Sequence, residues 1–206
     1  MARRQLYVDR RRKFHFYTAV VLANWMLVWP SALGAADQTT FRNSEFKFRF
    51  VYPSAWQQKT PRGPNVRALI DAPDGMSSCV MVVRREANLT KLSKREIEAD
   101  LFAAPMSETD WKALLGNKYR DVKILVWGLT KADRQPAQFA IAEFSDTTDA
   151  STIHLVAMQF TTVTPGLFWH FGCMSGGLRA EAAEAAFQTM QPTLNAILSS
   201  FAFENY

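Results

Sequence analysis

Only two cysteines, Cys79 and Cys173, and three histidines, His15, His154 and His170, occur in the 206 residues. No two of these stand at the short CxxC or HxxxH spacing that marks a metal site, so no metal centre is expected. No internal repeat or low-complexity tract breaks the chain, which excludes solenoids and linker-rich proteins. An excess of basic charge is also missing once the chain is divided. Residues 1–36 hold six of the 24 Lys and Arg but only one of the 19 Asp and Glu, leaving eighteen of each in the remainder. A nucleic-acid binder draws most of its affinity from cations neutralising phosphates, so this balance argues against a nucleic-acid partner.

The basic residues of the first segment, Arg3, Arg4, Arg10, Arg11, Arg12 and Lys13, lead into an apolar run from Phe14 to Val28, then Pro30 and the small residues of "SALGAA". This order reads as a secretory signal peptide over residues 1–36, cut after Gly34 or Ala36. The apolar core falls short of the ~20 residues that a span requires. An uncleaved anchor from Phe14 to Leu33 is the alternative. "RRKF" resembles a twin-arginine export signal, although Arg10 and His15 depart from its pattern. Residues 37–206 then form one domain, periplasmic after export, with membrane contact only through the leader. In an oxidising compartment Cys79 and Cys173 are a candidate disulfide, the alternative being two separate buried thiols.

At 48% hydrophobic and 13% aromatic composition, the remainder suits a packed core. "EFKFRFVYPSAW" alternates Phe46, Phe48, Phe50 and Tyr52 with polar or smaller residues, which predicts a strand with one apolar face. Before it, Asp37 to Asn43 reads as a polar lead. Ala68–Asp71 and Ser78–Arg84 read as a hairpin around Pro73, Asp74 and Gly75. Ser93 with Glu96 makes a capping box, and Ser107 caps a second helix that stops at Gly116-Asn117. Four further strands follow between Tyr119 and Met174. Leu178–Met190 and Leu194–Leu198 close the chain as helices, with Pro192 placed where a helix would restart. Several strands are apolar on both parities, so the antiparallel sheet needs cover on both faces. The class is α+β.

This order of elements, with "F-x-F-x-Y-P-x-x-W" at Phe48–Trp56 and Ile197, Leu198, Ser200 and Phe201 near the end, resembles the PsbP-like superfamily, in particular its bacterial exported members of unknown function. The resemblance implies an α/β/α sandwich and a non-catalytic accessory or binding role. Members include photosystem extrinsic subunits and a small-GTPase-binding import factor. Those partners do not transfer, because no counterpart of the photosystem subunits' functional N-terminal tail is present and an exported chain does not meet a nuclear GTPase.

Catalytic alternatives are weak. "CMSGG" at Cys173–Gly177 is the nearest approach to a nucleophile elbow, but Cys173 stands where the motif needs glycine and no histidine follows Ser175. The segment reads as a turn between strand and helix. His170 lies three residues before Cys173, hence on the opposite strand face. His154 is the other candidate base. No catalytic, cofactor or metal residue is therefore expected. Asp71 and Asp74 read as turn residues, and Arg84-Arg85 with Lys91–Glu96 as solvated charge. Trp127, Phe168, Trp169 and Phe171 could line an apolar cleft. The expected function is that of a non-catalytic exported cell-envelope protein binding another envelope component, with a carrier of a small apolar ligand as the first alternative and a thiol or serine enzyme as the second.

Overall fold

The computed structural model describes residues 37–147 and 151–204. The signal-peptide reading and part of the turn after Asp146 lie outside them. Ten strands form: β1 Gln38–Asn43, β2 Phe48–Pro53, β3 Gln57–Gln58, β4 Val66–Asp71, β5 Ser77–Arg85, β6 Arg120–Ala132, β7 Gln135–Thr147, β8 Thr152–Thr164, β9 Leu167–Gly177 and β10 Ala202–Phe203. The α-helices are α1 Lys94–Ala103, α2 Glu108–Gly116 and α3 Ala180–Ser199. Seven strands make one antiparallel sheet in the order β3-β4-β5-β9-β8-β7-β6. The other three make a small sheet, β1-β2-β10.

The expected hairpin is β4 and β5. Asp74 makes its turn: the carboxylate accepts from the Met76 and Ser77 N–H groups at 2.8 and 2.7 Å and from the Ser77 hydroxyl at 2.7 Å. Burial pushes this carboxyl up, but the three hydrogen bonds outweigh burial and hold it below its ordinary value. Both helix caps form as reciprocal boxes, Ser93 with Glu96 and Ser107 with Asp110. In each, the serine hydroxyl and N–H donate to the carboxylate and lower its pKa.

Alternation in the large sheet sorts the core into two layers. On one face Cys79, Met81, Trp169 and Phe171 meet Phe48 and Phe50 of β2, with Phe187, Leu194 and Ile197 of α3. On the other, Trp111 and Leu115 of α2 rest on Ala140, Ala142 and Ala157. Three alanines side by side leave the depth that an indole needs.

Four features differ from the sequence reading. The polar lead is a strand, β1, whose single buried apolar anchor is Phe41; an edge strand paired to β2 needs little more. β2 begins at Phe48 because Lys47 turns left-handed at φ 54°, so buried Phe46 belongs to the preceding turn, its N–H held by Asn43 Oδ1. "CMSGG" continues β9 through Gly177 instead of turning. A Cβ on Gly177 would stand 2.7 Å from the Ala183 nitrogen, so glycine lets α3 start against the strand. Finally, α3 runs unbroken through Pro192, whose exposed position leaves the carbonyl it deprives open to water.

Candidate functional site

The residues that carry chemistry are built into the sheet. Cys79 on β5 is directly opposite Cys173 on β9, with Cα atoms 4.0 Å apart and sulfurs 2.09 Å apart, a disulfide distance. Both side chains are fully buried beneath α3 and β2. His170 points to the other sheet face, as strand parity requires. His154 pairs with Gly177, while Met158 is the neighbour of Cys173, so neither His154 nor His170 is brought beside the sulfurs.

Ser175 is likewise interior. Its hydroxyl lies 2.9 Å from the Ser77 hydroxyl, which donates to Asp74, and the chain of three pins the hairpin turn to β9. With no exposed surface, Ser175 is closed to substrate. Among the described residues, no group of three or more His, Cys, Asp or Glu side chains gathers at metal-binding distance. The basic cluster is spread over aromatic rings and carboxylates. Arg67 and Arg85 lie over Phe46 at 4.6 and 5.4 Å, Arg85 also reaches Glu45 at 3.3 Å, and Arg84 pairs with Glu86 over Phe168.

Among the described residues, His170 is the one group whose titration is strongly displaced. Burial, assisted by the positive charge of Lys118, lowers its pKa to about 4. The neutral ring shares a 2.9 Å hydrogen bond between Nε2 and Gln159 Oε1. The unfolded chain takes up this proton near pH 6.5, whereas the native state refuses it until about pH 4. Stability present above pH 6.5 is therefore lost as pH falls, by about 3 kcal/mol once pH 4 is passed. Denaturant midpoints at pH 7 and 4.5 check this, and His170→Gln should flatten the dependence. An unchanged slope in that variant would assign the loss to other groups.

Two surface features bear on binding. Beneath α1 lies a largely apolar cavity of about 330 Å³, roofed by Ile97 and Leu101 and floored by Thr161 and Phe168. Of the four aromatics expected to line a cleft, only Phe168 does so; Trp169 and Phe171 belong to the opposite core layer and Trp127 is on β6. Gln138, which the sequence reading did not single out, sits in the cavity wall and ties the α1–α2 connection to the sheet. Its Oε1 accepts from the Met106 N–H and its Nε2 approaches the Leu101 carbonyl at 3.5 Å.

The second feature is β6, one of the two edge strands of the large sheet. Its first half is bulged around Asp121, at φ 54°, and near Leu125. From Trp127 to Ala132 it is regular against β7, so its outer backbone edge runs straight. Trp127 and Leu129, on one face of that stretch, are 38% and 43% exposed.

Fold and layers together define an α+β protein of the PsbP-like fold. The solution structure of cyanobacterial PsbP (CyanoP) from Synechocystis sp. PCC 6803 is similar, with a TM-score of 0.53 at 13% identity over 86% of this chain and 99% of that one. The Ran-binding protein Mog1p of Saccharomyces cerevisiae aligns with a TM-score of 0.48 at 11% identity over 82% and 96% of the two chains. LpqN of Mycobacterium tuberculosis, involved in cell envelope biogenesis, gives 0.45 at 10% over 82% and 91%. No protein-family model and no curated protein matches the sequence.

Proposed function

We propose that the protein is a non-catalytic binding protein of the bacterial cell envelope, exported by its leader and docking a partner protein at the outer edge of β6. The observation that carries this reading is the regular edge from Trp127 to Ala132 with Trp127 and Leu129 exposed beside it. A straight strand edge offers a row of backbone donors and acceptors, and flanking apolar side chains give such pairing its anchors. Lys123 and Lys131 at the two ends discourage indiscriminate edge pairing, which fits a selected partner over self-association. The burial of Ser175 and of the cysteine pair supports the non-catalytic part, and the pair at disulfide distance supports an oxidising compartment.

A photo-crosslinking residue placed at Thr130 should capture a discrete envelope protein in living cells, whereas one at Arg120 in the bulged half should not. Adding Trp127→Ala and Leu129→Ser should reduce capture about tenfold or more without lowering the melting temperature, since both side chains are exposed. Equal capture from both positions, or capture indifferent to the double substitution, would remove the edge from the proposal.

A further inference from the structure

The cavity under α1 has features that a packing gap does not explain. Its volume, about 330 Å³, is about eleven water volumes at ~30 Å³ each and reaches the range of small-molecule pockets. Its wall is apolar, from Leu89 and Leu92 after β5, Ile97 and Leu101 of α1, and Phe168 of β9. Of its four polar lining residues, Asp100 is exposed and the Thr162 hydroxyl donates to the Pro136 carbonyl at 2.6 Å, which leaves two buried polar side chains to account for, Gln138 and Thr161, each 3% exposed. Both hold donors with marginal partners. Among the described residues, Thr161 Oγ1 has only the Met106 thioether sulfur at 3.5 Å, and Gln138 Nε2 only the Leu101 carbonyl at 3.5 Å. A buried N–H or O–H so weakly used favours an acceptor that enters the cavity. Gln138 and Thr161 are register partners on β7 and β8, so their donors come from adjacent points of the floor.

We infer that this cavity binds a small, uncharged, mainly apolar molecule carrying a carbonyl or ester oxygen, which accepts hydrogen bonds from Thr161 Oγ1 and Gln138 Nε2. A carboxylate is disfavoured on two counts: Asp100 stands at the exposed rim, and no cation lines the cavity to offset the cost of burying an anion. A pure hydrocarbon would fill the space and leave both donors as they are. The site is separate from the β6 edge and uses none of its exposed side chains.

Methyl octanoate and octanoate, titrated into isotopically labelled protein, distinguish these ligands. The ester should shift the Gln138 side-chain amide and the backbone amides of α1, and should bind at least about tenfold more tightly than the carboxylate, which must surrender its hydration. Thr161→Val keeps the side-chain shape and removes the hydroxyl, so it should weaken the ester several-fold while the protein stays folded. Leu101→Trp, which occupies the cavity, should abolish binding, with an unchanged circular-dichroism spectrum as the check on folding. Absence of ester-dependent shifts at Gln138 in folded protein overturns the inference. So does equal affinity for octanoate, or a Thr161→Val variant that binds the ester as the parent does.

Discussion

Replacing Cys79 and Cys173 together by alanine should lower the unfolding free energy by about 4 to 5 kcal/mol, the largest single loss available outside the aromatic core. The physical origin lies mostly in the unfolded chain. The two positions are 94 residues apart, and a bond between them removes the loop-closure entropy of that whole segment, which chain statistics put at roughly 4.7 kcal/mol. Against a net stability of about 5–15 kcal/mol, that is a third or more of what holds the domain together. In the native state the pair adds no reach, because β5 and β9 are already hydrogen-bonded in register on either side of it. The double variant should therefore keep its fold and β-sheet spectrum while its guanidinium midpoint moves sharply down. Reductant should bring the parent protein to nearly the same midpoint. Alkylation of the unreduced, denatured protein should find both thiols blocked until reduction. Two thiols freely alkylated in the unreduced, unfolded protein, or coincident midpoints for parent and variant, would show that the sulfurs remain unbonded.

The cysteine pair also marks how far the sequence is legible. Local signals were readable: Asp74-Gly75 as a turn, Ser93 and Ser107 as caps, and the four apolar strand runs between Tyr119 and Met174 all act within a few residues of themselves. What the chain pairs with across a distance was not. β1 carries one buried apolar residue and earns its place from β2, which no pattern within residues 38–43 announces. Pro192 reads as a break because its missing N–H is a local cost, yet Phe187 and Leu194 on either side are both buried in the same core layer and carry the helix across. The glycines of "CMSGG" suggested a turn, but Gly177 answers the approach of α3. The cavity was half legible. Strand parity alone separates Phe168 from Trp169 and Phe171, whereas Gln138 and Thr161 meet only through the pairing of β7 with β8.

The aromatic alternation in β2 carries the other large expected effect. Phe48 and Phe50 have no exposed surface. Phe50 stands with its ring centre 5.0 Å from Phe41, 4.8 Å from Phe171 and 6.2 Å from Tyr52, so it joins β1 and β2 of the small sheet to β9 of the large one. Phe48 does the same toward Trp169 and Phe201. Phe50→Ala empties a space enclosed by two sheets, with neighbours tied by backbone ladders that prevent collapse into it, and should cost about 3–5 kcal/mol. Phe50→Leu keeps most of the volume and should cost about half that or less. Arg49→Ala, on the outer face of the same strand, removes a 4.0 Å pairing with Glu204 and should change stability by less than about 0.5 kcal/mol. Urea midpoints for the three variants test the ordering. Were β2 an exposed stacking surface, Phe50→Ala would leave the midpoint near that of Arg49→Ala; a gap of several kcal/mol between them places the rings in the joint between the sheets.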